Sequence, residues 1–447
     1  MIPTLPAPGC DDPCNPGPGC PLPPPECGGG SGETLDKKKP AGKITVWDSN
    51  LGMEVPVKRT RVVARRWFKI DVVYTNDQGE FKCNKRFVNK VNILVKFLNN
   101  NITIHGLRTP RLWQMWFPIK KGIGIYSGNL SNISYRFNQN TLEPHSRTNR
   151  NWWAAQTMNS QVEFNEMAAA NNIGGLPSFL RILLTGWANA RGAGSAPMNG
   201  HRNPQIVPPL WINYFVLNPA HTGFASTLNW LYNGILIRKT DMTIGYDKNL
   251  QSDQVKSLIY HEMAHAAHYN KVGDNWWNEL VNAETYEITR FGLNGAQSPY
   301  GIGDDGEMSG RIALAESWAE HIGRVMTDTK YGITSSAQYN QGEFYENNSP
   351  VIGLSSHLNL LEDFSPNRVS DPFRWIPYGV YYDLMDSRND YNFNAILPID
   401  NVSGYSSQKC FNALDNDVKT IPEFKTRFLS ESGFNQAVVD LFFEYHY

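Results

Sequence analysis

No run of this 447-residue sequence approaches the roughly 18 consecutive apolar residues that a membrane-spanning helix requires. Neither sign of charge dominates. Forty-one Lys and Arg stand against 42 Asp and Glu, which argues against a broad basic surface for nucleic acid. The local run Lys58-Arg59-Thr60-Arg61, with Arg65, Arg66 and Lys69 behind it, reads as a solvated strand face. The opening Met1-Ile2-Pro3 carries neither the basic nor the apolar segment of a signal peptide. Large apolar side chains are nearly missing from residues 1–41, which are rich in Pro and Gly and cannot bury a core, so an extended leader is expected there. Cysteine is scarce elsewhere: Cys10, Cys14, Cys20 and Cys27 lie in that leader at irregular spacing, while Cys83 and Cys410 stand alone and read as small core residues. No C-x-x-C pair suggests a metal site, so the leader cysteines point to disulfides or an attachment point in an exported or cell-surface protein. Ala7-Pro8-Gly9-Cys10 is a weak match to a lipid-tether sequence.

Histidine is also scarce, at ten residues, which makes one arrangement of it informative. His261-Glu262-Met263-Ala264-His265 lies in a segment with apolar Val255, Leu258, Ile259 and Ala264 at helical spacing. With 3.6 residues per turn, His261 and His265 share a helix face and can reach one zinc ion. Glu262, about 100° around the helix, can sit beside a metal-bound water without ligating the metal. The context agrees with a helix: Asp241–Tyr246 reads as a strand ahead of it, Ser252 as an N-cap followed by Asp253, and Gly273 as a stop. Ala264, Ala266 and Ala267 keep the helix slim, so another element can approach closely.

A catalytic zinc usually has three protein ligands and one open position. His268 is one turn beyond the pair and reads as a buried polar histidine. The better third ligand is Glu316, in the helical segment Ile312–Gly323, with Glu320 one turn on along the same face. Two acids stacked among Ala, Leu and Trp are costly unless positive charge lies between or beside them. Glu316 would bind zinc, and Glu320 would accept the outer ring N–H of a ligating histidine and fix its tautomer.

The motif His261–His265 followed by Glu316-Ser317-Trp318-Ala319-Glu320 resembles the gluzincin class of zinc metallopeptidases. The resemblance covers roughly 252–270 and 311–328. It implies zinc on His261, His265 and Glu316, Glu262 as general base, and a peptide or protein substrate. Some toxin-like members carry a tyrosine seven residues before the ligand glutamate; Ser309 stands there here. Tyr300, Tyr378, Tyr381, Tyr382 and His357 are the remaining candidates for the oxyanion donor.

From Gly42 to His105 short alternating strands (44–47, 68–74 and 91–97) predict a small antiparallel sandwich. The hairpin Thr75-Asn76-Asp77-Gln78-Gly79-Glu80-Phe81 resembles the recurring Thr-x-x-x-Gly-x-Phe of prealbumin-like, carboxypeptidase-regulatory sandwiches. Expected overall is a multidomain, monomeric protein: a leader (1–41), an all-β accessory sandwich (42–105) and an α+β, mainly helical domain of zincin type (106–447). Within the last, 151–171, 375–385 and 421–445 read as helices, and the Gly-rich stretch 188–203 as a loop over the cleft. Most of the 13 tryptophans, Trp152-Trp153 and Trp276-Trp277 among them, are expected in the core. The competing readings are a surface protein that binds glycan or protein on a zincin fold, and a zinc hydrolase of non-peptide amides.

Overall fold

The computed structural model describes residues 36–107, 117–186, 194–202, 240–246, 249–292, 300–331, 375–387 and 399–447. The four leader cysteines, His357 and residues 188–193 and 203 of the Gly-rich stretch lie outside them. Strands fill the N-terminal part and helices the C-terminal part. Among the described residues no helix is long and apolar enough to cross a membrane.

Two sheets form the N-terminal part. In the first, β1 (Ala41–Asp48) pairs antiparallel with β2 (Met53–Pro56) and, before them, with β5 (Glu80–Lys82); on its other edge it runs parallel to β9 (Ile133–Phe137). The second is antiparallel throughout, in the order β4 (Lys69–Tyr74), β3 (Arg61–Arg66), β6 (Val91–Lys96), β8 (Lys120–Tyr126). Alternation decides which side chains face inward: Val62 and Ala64 on β3 and Val91, Ile93 and Val95 on β6 are fully buried. Phe97 and Phe137 join the two sheets, with ring centroids 5.2 Å apart.

The strand pairing runs across 105/106, where the sequence suggests a division. β8 and β9 come after that point, yet they pair with β6 and β1. β7 (Ile102–Leu107) straddles it and joins a third sheet, ordered β11 (Gly194–Ser195), β12 (Met242–Gly245), β10 (Leu180–Thr185), β7. In this sheet β7, β10 and β12 are parallel and β11 is antiparallel. The reason is hydrogen-bond closure: each of these buried strands needs partners for its backbone groups, and sequence separation does not restrict where they come from.

Helix α1 (Arg147–Ala170) starts at Ser146, whose hydroxyl accepts from Asn149 N at 3.1 Å. Its polar side chains are buried because they bond strand ends: Trp152 Nε1 donates to Trp47 O at 2.7 Å, and Asn159 Nδ2 to Pro56 O at 2.7 Å. One turn on from Asn159, Glu163 accepts from Lys256 Nζ and Tyr260 Oη, each at 2.6 Å, and is also bonded by Lys330. These three partners lie on the two long helices α3 (Ser252–Glu287) and α4 (Glu307–Tyr331), which follow the single-turn α2 (Asn199–Arg202) in the chain. A buried carboxylate shared by two lysines and a phenol is costly to break, so α1 fixes how α3 and α4 are rotated.

One expectation for α3 changes. Its N-cap is Gln251, whose backbone N donates to the Gln254 side chain at 2.9 Å, because the Ser252 hydroxyl is engaged by Ser49 N at 2.8 Å. Gly273 interrupts the helix as its composition suggests: at φ 78° and ψ −176° the backbone leaves helical geometry, and a second helical segment then runs on to Glu287. The resumed segment folds Trp276 and Trp277 back onto His268, with ring centroids 4.8 and 5.6 Å away. Residues 288–292 continue as a short π-helix. Toward the C-terminus, 375–385 contains only the short helix α5 (Val380–Asp383). After α6 (Ser407–Ala413), the segment 421–445 divides at Gly433 into α7 (Ile421–Ser432) and α8 (Gln436–Glu444). Cys83 and Cys410 are buried free thiols.

Candidate metal centre

α3 and α4 meet closely because α4 presents Gly323 where a Cβ would lie 3.0 Å from Ser257 O and 3.1 Å from His261 Cβ. Buried Ala264, Ala315 and Ala319 keep the same interface thin. The two ring nitrogens and the carboxylate thus converge. His265 Nε2 lies 3.1 Å from His261 Nε2 and 3.2 Å from Glu316 Oε1, and His261 Nε2 lies 3.4 Å from Glu316 Oε2. Their ligand atoms fall within 4.8 Å of one another. Bonds of about 2.0–2.1 Å in a tetrahedron give ligand–ligand edges of about 3.3–3.4 Å. The donor set and its spacing therefore fit zinc.

The surrounding groups orient this set. His261 Nδ1 lies 3.2 Å from Glu320 Oε2; donation there retains the Nδ1 proton, so Nε2 is the nitrogen freed toward the cluster when the ring gives up its other proton to a metal. Glu320 in turn is paired with Arg324, itself buried. Glu262 is only 2% exposed, and its Oε2 has no hydrogen-bond partner. Such an orphaned buried oxygen beside a metal-ligand set is the acceptor expected of a general base. β11 passes directly over it: a Cβ on Gly194 would lie 2.4 Å from Glu262 Oε1.

Charge is concentrated here. Burial works against a charged His261, but Glu316 and Glu320 outweigh it and hold its pKa well above the usual value. Burial opposes ionisation of Glu316 too, and His265 and His261 hold it below the ordinary carboxylate range. Glu262 has no such compensation; burial, with Glu316 adding to it against the pull of His261, pushes it up to about 8. His268 is fully buried against Trp276 and Trp277, and burial lowers it to about 3. It stands outside the ligand cluster, in agreement with its reading as a core histidine.

Two further groups lie in the same field: Glu284, which the sequence does not single out, and Tyr300, one of the oxyanion candidates. Glu284 shares a face with Trp277, Leu280 and Val281 on the returning half of α3, and Trp277 touches the His265 ring at 6.0 Å. Burial, Glu316 and Glu262 together push the half-buried Glu284 carboxyl well up. Tyr300 sits in the same field, its phenol raised by burial, Glu316, Glu284, Tyr378 and Glu262. Helical spacing from Trp277 was the available signal for Glu284. Of the other tyrosines, Tyr381 is a core residue packed on Trp318 and Phe424, with centroids 5.5 and 5.2 Å away. Ser309 Oγ accepts from Asp305 N at 3.0 Å and is not at the site. A second acidic cluster, Glu287, Asp304 and Asp305, already holds the Arg290 guanidinium.

The chain matches no family model, no curated protein and no solved structure. Functional argument therefore rests on the chemistry of these side chains.

Proposed function

We propose that this protein is a zinc-dependent hydrolase of peptide bonds, of the gluzincin kind, with His261, His265 and Glu316 as metal ligands and Glu262 as general base. The observation that carries the reading is the convergence of those three ligand groups within 4.8 Å, with the unbonded Glu262 carboxylate alongside. When bound, zinc supplies Lewis acidity and a water acidic enough to ionise near neutral pH. Glu262 takes the proton of the attacking water and returns it to the leaving nitrogen. Glu320, through His261 Nδ1, keeps the ligand nitrogen aimed. Tyr300, whose phenol is raised by burial and lies within electrostatic reach of Glu316 and Glu262, is our candidate donor for the developing oxyanion.

A peptide suits the site better than other amides because of β11. Among the described residues this strand pairs along one edge only, with β12. Its other edge offers backbone groups to an extended chain next to Glu262. A binding role without catalysis would have no use for an unpaired buried carboxylate there. Export, with the β sandwich as an accessory module, belongs to the same proposal through the composition of the leader.

The test is digestion of a broad peptide library by zinc-loaded protein, with and without chelator, beside Glu262→Gln. Cleavage that chelator abolishes, and that the variant lacks while retaining one equivalent of zinc, supports the proposal. Full activity in Glu262→Gln refutes the mechanism, and zinc-loaded wild type that cleaves only amide-bearing carbohydrates replaces the substrate class.

A further inference from the structure

The β3–β4 hairpin turns through two residues, Trp67 and Phe68, between Arg66 and Lys69. Two-residue hairpin loops favour Gly, Asn or Asp because they require positive φ. Here Trp67 adopts φ 48°, a conformation that is strained for a bulky side chain. Neither aromatic ring gains burial in exchange: Trp67 is 84% exposed and Phe68 99%. This contrasts with Trp152, Trp153, Trp276 and Trp277, each no more than 3% exposed. A local rule broken at an exposed tip, with no packing benefit, marks a feature kept for an interaction.

The charge around the tip is of one sign. Arg65 and Lys69 are exposed on the flanking strands, Arg66 is half-buried beside them, and Lys90 is exposed at the neighbouring start of β6. The nearest acid along either strand, Asp71, is buried and accepts from the backbone N of Val72 and Lys85. Just ahead of β3, Arg59 pairs with Asp77 and Glu166, and Lys58 with Glu166; along the sheet itself Arg61, Lys96 and Lys120 extend the positive face beyond Arg65. Two projecting aromatic rings inside a collar of unmatched basic side chains suit an interface that is apolar beneath an anionic layer. Aromatic rings settle at the headgroup level of a bilayer, and lysine and arginine are attracted to anionic lipid.

We propose that the Trp67–Phe68 hairpin docks the protein on anionic phospholipid membranes, with the two rings entering the headgroup layer and Arg65, Arg66, Lys69 and Lys90 facing lipid phosphates. This contact is peripheral and reversible, and it is independent of the metal centre.

The experiment is vesicle co-sedimentation of the full chain at 0.1 M salt, with phosphatidylcholine vesicles containing or lacking 30% phosphatidylglycerol. Wild type is expected to bind the anionic vesicles at least tenfold more tightly than the neutral ones, and to lose that binding as salt rises. Trp67→Ser/Phe68→Ser should lower binding at least tenfold. Arg65→Ala/Lys69→Ala should lower it by about thirtyfold, the effect of roughly 1 kcal/mol per basic residue. Circular dichroism and zinc content serve as controls for the fold, and both are expected to be unchanged because every substituted side chain is exposed. Wild type that stays in the supernatant with anionic vesicles overturns the proposal, as does equal binding by the tip variant. Self-association of wild type in the ultracentrifuge, abolished by Trp67→Ser/Phe68→Ser, with no vesicle binding, would assign the tip to a second copy of this chain and also overturn it.

Discussion

Replacing Glu320 with Ala tests whether the metal centre depends on the carboxylate behind it. Glu320 joins His261 Nδ1, at 3.2 Å, to the guanidinium of Arg324, which is 1% exposed. Two separate losses follow. Without its acceptor the His261 ring can rotate or take the wrong tautomer, and loss of such a supporting contact costs about 10- to 100-fold in metal affinity, or roughly 1.4–2.8 kcal/mol. Arg324 loses its bonded carboxylate inside the protein, and breaking a buried pair from one side costs about 3–5 kcal/mol. Asp328 lies within electrostatic reach of Arg324 and absorbs part of this, so the lower end is expected. Glu320→Gln keeps a carbonyl oxygen for one of the two donors and should fall about halfway between wild type and Glu320→Ala in both measures. Zinc affinity is read by competition with a chromophoric chelator, and stability by urea unfolding of metal-free protein. A Glu320→Ala protein that remains folded and binds zinc within threefold of wild type would refute the argument that Glu320 orients His261.

Four further outcomes are expected. Gly194→Ala places a methyl group against Glu262 and should reduce kcat by about 100-fold, the scale of a 1 Å misplacement, while zinc stays at one equivalent; unchanged kcat means that β11 does not confine Glu262. Zinc binding near pH 7 should release at least one proton, because His261 is held protonated in the metal-free protein and must be neutral to ligate. Affinity then rises with pH in this range; calorimetry in two buffers of different ionisation enthalpy that reports no release contradicts the assignment. His268 and His321 are each lowered to about 3 by burial, so below the unfolded value of about 6.5 the unfolded chain binds more protons and stability falls with pH. The slope is about 1.4 kcal/mol per pH unit for each histidine, and His268→Gln should remove one share of it between pH 6 and 4; an unaltered slope in urea titrations counts against a neutral buried His268. Glu316→Ala should leave dialysed protein with well under one equivalent of zinc, and full retention by metal analysis would remove Glu316 from the ligand set.

The helix that carries His261 and His265 was legible because its information is local. Apolar spacing from Val255 to Ala264 sets a helix, and helical geometry alone puts His261 and His265 on one face. The inward strand faces, such as Val62 and Ala64 or Ile93 and Val95, were equally legible from alternation. Less legible were features fixed by partners distant in the chain. Gly273 reads as a stop and does interrupt the helix, but composition does not show that the segment after it returns Trp276 and Trp277 to the His268 ring. Gly194 and Ser195 read as loop, but backbone pairing with Ile244 and Thr243 makes them a strand. Trp67 has the composition of a core residue and lies at an exposed turn.

The sequence by itself determined the donor types, their helical spacing and the balance of charge, since each depends on residues within a turn or two of one another. Only the tertiary structure brought Glu316 across 51 residues of chain to His265, laid β11 over Glu262 and directed Glu284 and Tyr300 into the same field. The physical reason is that two packed helices hold their facing side chains at distances set by what lies between them, here Gly323 and a row of alanines, and that contact forms only when the chain has folded.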